Sequence, residues 1–310
     1  MTRKKGVPLT NIAASVKARL LQRAHEDGED FNSLLVRYVV ERLLYRLGAS
    51  EHANEFVLKG ALLFVAWSAR PHRATKDLDL LGSGSPDPAR LAGIFREVCQ
   101  VAGVDDGVAF LADTVRAEPI REDAVYDGIR LRFSAQLGTA KIPVQVDVGF
   151  GDATTPEPQP LVLPVLLDFP PPRLRAYARE STIAEKLHAM VELGLGNSRM
   201  KDYYDLWFLS NEYPFDGNVL ANAVRATFDR RQTALPHAEP VGLSDDFAID
   251  AGKVAQWAAF LRRARLRKEA PPLGPLVASL RAFLMPVVNA AADPSAFETE
   301  WRPGGPWEVG

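Results

Sequence analysis

Apolar residues recur at helical spacing in two early segments. Residues 12–24 form the first. The second, 31–47, shows the pattern more clearly, with Phe31, Leu34, Leu35, Tyr38, Val39, Leu43 and Leu47 on one stripe and Gly48 as a stop. The period then changes. Residues 56–58 are a short apolar run, Lys59-Gly60 breaks it, and a second apolar run follows over 61–67. This reads as strand, glycine turn, helix. Residues 77–80 alternate carboxylate and leucine, the mark of a half-buried strand, and 91–102 reads as a helix. Two further stretches alternate cleanly. In 129–133, Ile129, Leu131 and Phe133 face one way and Arg130 and Arg132 the other. In 142–148, Ile142, Val144, Val146 and Val148 are the apolar set, which leaves Asp147 on the polar face.

Prolines then cluster at 156, 158, 160, 164, 170, 171 and 172. Such a stretch supports neither regular helix nor a central strand, and it marks the expected seam between two lobes. Beyond it helical spacing returns over 181–193, 199–210, 219–230, 253–268 and 276–288. The expected fold class is α/β. A mixed sheet with N-terminal helices would occupy residues 1–165, and a helical C-terminal lobe 166–310.

Composition narrows the function classes. The 310 residues suit about two domains at roughly 150 residues each. With 47% hydrophobic and 25% charged residues the chain buries a core and is not globally disordered. Lys plus Arg is 37 against 39 Asp plus Glu, a net charge of -2, which argues against a coat for nucleic acid but leaves room for a local basic groove. One cysteine, Cys99, excludes an internal disulfide framework and a cysteine-based zinc cluster. The longest apolar stretch, 61–67, is far short of the ~20 residues of a membrane span. The basic start is followed by Lys17 and Arg19, a poor signal peptide, so the expected compartment is the cytoplasm, with no membrane partner.

The candidate chemistry starts at Thr75-Lys76-Asp77-Leu78-Asp79. Carboxylates at i and i+2 on a strand share a face, about 7 Å apart. They repel unless a cation lies between them, and hard oxygen ligands select Mg²⁺ or Mn²⁺. Upstream, Lys59-Gly60 opens a helix; downstream, Asp147 supplies a third strand carboxylate. A glycine turn lets backbone N–H groups approach a triphosphate, and a helix N-terminus adds a favourable dipole. Together these features resemble the nucleotidyltransferase fold of DNA polymerase β type. In that scheme the aspartate pair binds metal and the third carboxylate takes the proton of an attacking hydroxyl.

Four blocks carry a more specific resemblance: residues 56–63 (FVLKGALL), 73–80 (RATKDLDL), 183–190 (IAEKLHAM) and 197–207 (NSRMKDYYDLW). In combination they are similar to the AbiEii/AbiGii toxin family, over about residues 11–241. The resemblance implies the toxin half of a type IV toxin–antitoxin or phage-defence module. It also implies a metal-dependent nucleotidyltransferase that adds nucleotides to the 3′ end of tRNA and so blocks translation. Asp77 and Asp79 would bind Mg²⁺ or Mn²⁺, Lys186 would contact the NTP phosphates, and Asp205 would be a functional acid. The catalytic set is then Asp77, Asp79, Asp147, Lys186 and Asp205, and the nucleotide-binding set Lys59, Gly60, Thr75, Lys186, Lys201 and Asp202. A genetically linked antitoxin is implied, and a stable complex with it does not follow from the resemblance. One departure stands out: the usual Gly-Ser is Gly60-Ala61 here, so no hydroxyl is available for a phosphate.

Read without the family, Lys186 interrupts an apolar helical face near Ile183, Leu187 and Met190, where a lysine commonly snorkels. Lys201, Asp202 and Asp205 share one side of a helix, and a local Lys201–Asp205 pair would be worth about 0.3–0.5 kcal/mol. Asp205 could instead fix Lys186. His188 receives no role. Residues 261–268 hold five basic side chains, Arg262, Arg263, Arg265, Arg267 and Lys268, which on a helix would cover a broad arc. With Arg230-Arg231 they suit RNA phosphates, and Arg130 and Arg132 would add charge near the carboxylates. Two other functions use the same residues: transfer to a small molecule or protein side chain, and an inactive nucleotide- or RNA-binding module.

Overall fold

The computed structural model describes residues 11–68, 77–120, 128–266, 270–293 and 297–309. It resolves into two compact units. The first holds the described residues up to Gly151 together with Pro160–Ala176, and the second holds Asp152–Gln159 and the chain from Tyr177. The chain therefore passes from one unit to the other three times, all within or next to the proline-rich stretch.

The first unit opens with helices α1 (Ile12–Asp27) and α2 (Phe31–Ala49), each started by a side-chain cap: Asn11 accepts from the Ala14 N–H, and Asp30 from that of Ser33. Strand β1 (Phe56–Lys59) runs through a single 3₁₀ turn at Gly60–Leu62 into the short helix α3 (Leu63–Trp67). Strand β2 (Leu78–Gly82), helix α4 (Pro88–Gln100) and strands β3 (Val108–Pro119), β4 (Gly128–Leu137) and β5 (Ala140–Phe150) follow. Two short strands, β6 (Gln159–Val162) and β7 (Arg173–Ala176), lie in the proline-rich stretch.

These strands make one mixed sheet in the order β3-β4-β5-β2-β1-β7-β6. Pairing is parallel between β2 and β5 and between β1 and β7, and antiparallel between β1 and β2, β4 and β5, and β3 and β4. Leu78 and Leu80 of β2, Ile129, Leu131 and Phe133 of β4, and Ile142, Val144, Val146 and Val148 of β5 are buried. The strand alternation read from the sequence thus sets which face becomes core. Buried charges tie α2 to the rest of the unit. Arg46 forks onto Asp106 at 2.8 and 3.1 Å, and Glu41, paired with Arg42 at 2.7 Å, accepts from the Leu166 N–H.

The second unit is mainly helical: α5 (Arg179–Leu193), α6 (Met200–Glu212), α7 (Gly217–Arg230), α8 (Asp245–Ile249), α9 (Ala251–Arg263) and α10 (Leu273–Ala292). Strands β8 (Phe215–Asp216), β9 (Thr299–Trp301) and β10 (Trp307–Val309) add a small antiparallel sheet. Among the described residues α10 is the one helix long and apolar enough to cross a membrane by length and composition. Its Leu276, Val277, Leu280, Phe283 and Leu284 are fully buried, and it packs on α6, α7 and α8, the placement of a core helix. Helix α9 ends at Arg263, and Arg265 has a φ of 60°, so the basic run does not continue as the helical arc expected from its spacing. Arg267 and Lys268 lie outside the described residues.

Candidate functional site

The first unit gathers charge on the polar side of its central strands. On β2 the buried Leu78 and Leu80 anchor the strand, which turns Asp79 to the opposite face, with the exposed Asp77 just ahead of the strand. Asp79 is the register partner of Asp147 on β5, and on its other side that of Lys59 on β1. Asp147 is in turn opposite Arg130 of β4. One row across four neighbouring strands therefore reads Lys59, Asp79, Asp147, Arg130: two carboxylates in the middle, a cation at each end.

Adjacent strands are about 4.8 Å apart, and two carboxylate charges some 5 Å apart repel by about 3 kcal/mol at an effective dielectric constant near 20. Arg130 counters this directly. Its Nε donates to Asp147 Oδ1 and its Nη2 to Oδ2, both at 2.8 Å, a two-pronged pairing that fixes the plane of the carboxylate. Gln145 Nε2 is 3.5 Å from both Asp147 Oδ2 and Asp77 Oδ1, so Asp77 joins the same group.

Gly60 belongs to this group for a steric reason. Its φ is +76°, and a Cβ there would lie 2.8 Å from both Cβ and Cγ of Asp79 and nearer still to Oδ2. The backbone turn is pressed onto the carboxylate, a fit that no side chain permits. Asp77, Asp79 and Asp147 offer hard carboxylate oxygens of the kind that suit Mg²⁺ or Mn²⁺. Thr75, expected to bind nucleotide, lies outside the described residues. Arg132 pairs with Glu118 on the neighbouring strand.

In the second unit α5 and α6 bring a lysine onto two acids. Ile183, Leu187 and Met190 bury one side of α5 and hold Lys186 against α6, where Asp202 and Asp205, three residues apart, project together. Lys186 Nζ is 2.6 Å from Asp202 Oδ1 and 2.8 Å from Asp205 Oδ2, with the three side chains only 14%, 8% and 0% exposed. Lys201 stands exposed on the same helix, so the local Lys201–Asp205 pair gives way to this longer-range one. Asn197, whose Oδ1 accepts from the Arg199 N–H ahead of α6, is fixed through its carbonyl by the buried Lys253 at 2.9 Å. The exposed Arg262 and Arg263 close α9, with Arg265 just beyond.

A second polar cluster in this unit takes up Arg231, which the sequence groups with Arg230 in a basic patch for RNA phosphates. Arg231 reaches Asp152 at 3.3 Å and Glu185 at 3.9 Å, and its Nη1 lies 3.1 Å from Nδ1 of the buried His188. Arginine only donates, so Nδ1 accepts and His188 Nε2–H donates to Thr233 Oγ1 at 2.9 Å. Burial and the adjacent Arg231 charge push the His188 pKa down to about 4, against the opposing pull of Asp152. His188 is a neutral structural residue.

A family profile, "Nucleotidyl transferase AbiEii toxin, Type IV TA system", matches residues 42–284. Two solved structures from Helicobacter pylori are similar to the chain. One, described as a candidate nucleotidyltransferase, aligns at 15% identity over 85% of this chain and 98% of its own, with a TM-score of 0.49. The other, JHP933, aligns at 15% identity over 84% and 93%, with a TM-score of 0.47. No curated protein matches the chain.

Proposed function

Because this chain belongs to the AbiEii nucleotidyltransferase toxin family of type IV toxin–antitoxin systems, we propose that it transfers a nucleoside monophosphate from an NTP to the 3′ end of tRNA and thereby blocks translation. The acceptor hydroxyl oxygen bonds to the α-phosphorus, the bond to the bridging oxygen breaks, pyrophosphate leaves and the hydroxyl proton is released. The observation that carries the transferase reading is the row of opposed carboxylates, with Asp79 facing Asp147 across parallel strands and the Gly60 backbone packed on Asp79.

Asp77, Asp79 and Asp147 would hold a divalent cation, which neutralises the charge that builds on the phosphates in the transition state. Asp147 is assigned to the cation because it stands opposite Asp79 on the neighbouring strand, and the alternative role is acceptor of the hydroxyl proton. Lys59 and the Gly60 backbone amide are assigned to the phosphates, with more to do because Ala61 offers no hydroxyl. Lys186, oriented by Asp202 and Asp205, is assigned as a point charge for phosphate. The exposed Arg262, Arg263 and Arg265 are assigned to RNA phosphates. The family also implies an antitoxin partner.

The deciding experiment incubates the purified protein and Mg²⁺ with total tRNA and each labelled NTP in turn. Label at the tRNA 3′ end, lost in Asp79→Asn, is the expected result. Unmodified tRNA with all four NTPs, beside labelling of a small hydroxylated acceptor, overturns the tRNA reading.

A further inference from the structure

The structure points to Arg130 as a positioning residue that stands in for the divalent cation. We propose that its guanidinium holds Asp147 in place in the metal-free protein and weakens the binding of free cation, so that tight binding requires the cation and the triphosphate together. This rests on the transferase reading above and concerns a residue that reading leaves without a part in the reaction.

The geometry is specific. Arg130 and Asp147 are register partners on antiparallel strands, so their backbones are fixed relative to each other by the sheet. Both carboxylate oxygens accept from the guanidinium at 2.8 Å, and both side chains are partly buried. Next in the row is Asp79. A cation shared by Asp79 and Asp147 would lie within a few ångströms of a fixed positive charge and be repelled by it. A carboxylate has about four lone-pair directions, so the guanidinium does not occupy all of them. It does neutralise the charge that a cation would use. A nucleotide reverses the balance, because its phosphates are attracted to cation and guanidinium alike. Free Mg²⁺ is thereby disfavoured relative to Mg²⁺–NTP.

The test measures Mn²⁺ binding to the nucleotide-free protein by electron paramagnetic resonance. Arg130→Gln should bind Mn²⁺ about tenfold more tightly than the wild type and melt at lower temperature without metal, with Mn²⁺ restoring much of the difference. Arg130→Lys keeps the charge but not the fork. It should stay near wild-type affinity while its metal-free melting temperature still falls. A purely structural arginine would lower melting with and without metal alike and leave affinity unchanged or weaker; either affinity result in Arg130→Gln overturns the proposal. If that variant does not fold, the wild type decides: saturating Mg²⁺ should shift the Arg130 Nε–H resonance with the midpoint of binding, and an unmoved signal overturns the proposal. Asp79→Asn separates the two levels. Mn²⁺ binding that is absent, or indifferent to Asp79, sinks the metal assignment of the proposed function as well. Asp79-dependent binding that ignores Arg130 sinks only the role of Arg130.

Discussion

Gly60 and Asp79 share a contact that only a residue without a side chain allows, since a Cβ on Gly60 would sit 2.8 Å from Asp79 Cγ. The turn after β1 is therefore shaped around a carboxylate on the neighbouring strand. Replacing Gly60 by alanine combines a left-handed backbone position, costing about 1 kcal/mol, with overpacking that costs about 1–3 kcal/mol. Urea denaturation should show Gly60→Ala destabilised by about 2–4 kcal/mol. Adding Asp79→Ala removes most of the opposing atoms, so the double variant should be more stable than the summed losses by at least about 1 kcal/mol. Additive losses would mean that the turn adjusts and the contact does not shape it.

Asp77→Asn and Asp79→Asn should abolish transfer while leaving metal-free stability nearly unchanged, because the repulsion between carboxylates that each relieves offsets the attraction to nearby cations that it loses. Mg²⁺ should raise the melting temperature of the wild type alone, by mass action. Retention of more than about a tenth of the wild-type rate at saturating Mg²⁺, an effect of only about 1.4 kcal/mol, would show that neither is a ligand that matters to the reaction. Asp147→Asn should lose Mg²⁺-dependent NTP binding along with rate. Rate loss with NTP binding intact would return Asp147 to the role of proton acceptor.

What the sequence shows of this fold follows from the range of the interactions. The strands holding 77–80, 129–133 and 142–148 are legible because each buries one face, so burial imposes a period of two. The edge strand β3 is not: its register with β4 shifts between Leu111 and Arg116, which breaks the alternation. Strands β8, β9 and β10 have two or three residues each, too few for any period. The same limit applies to the side-chain clusters. Asp77 and Asp79 stand out because they are neighbours on one strand. Lys186 meets Asp202 and Asp205 across a gap of sixteen and nineteen residues, and spacing alone favoured the local Lys201–Asp205 pair. Arg130 is visible as a polar-face residue, but its pairing with Asp147 requires the strand register.

The Lys186 cluster gives a stability prediction. Lys186→Met would leave the carboxylates of Asp202 and Asp205 in a buried setting without their lysine, a change of the kind that costs about 3–5 kcal/mol. Asp205→Asn in that background removes one of the charges and should recover part of the loss. A double-mutant cycle on urea midpoints checks this. Independent, additive losses would separate Asp205 from Lys186 and remove the orienting role given to the acid.

His188 makes stability depend on pH with a defined sign. Its folded pKa of about 4 lies below the ordinary value of 6.5, so between those values the unfolded chain binds the proton and the folded one does not. Its contribution is complete above about pH 6.5 and is lost as pH falls toward 4. From pH 7.5 to 5 the loss is about 2 kcal/mol. His52 works in the other direction. Burial lowers its pKa, but the hydrogen bonds its ring donates to Glu97 and Glu55 prevail and raise it, so its contribution is present at low pH and lost as pH rises through the folded value. The comparison of wild type with His188→Asn at both pH values isolates the first effect. Equal pH slopes in the two proteins would mean that His188 is protonated in the fold.

The RNA assignment predicts a division between the two substrates under salt. Arg262, Arg263 and Arg265 are exposed at the end of α9 and just beyond it, where they can reach phosphates without reading bases. Each phosphate they neutralise releases counterions, so three contacts contribute roughly 2–3 to the slope of log affinity against log salt. Transfer at limiting tRNA should therefore fall steeply between low and moderate salt, while NTP binding changes much less. Changing the three arginines to glutamine should raise the Michaelis constant for tRNA, lower that salt slope by about 2–3, and leave the constant for NTP near the wild-type value. In a bacterial host the wild type should arrest growth and leave tRNA with extra 3′ nucleotides, both dependent on Asp79, and the triple variant should do so more slowly. An enzyme acting on a small hydroxylated acceptor would show no such salt slope. It would also leave tRNA ends unaltered and be indifferent to the three arginines.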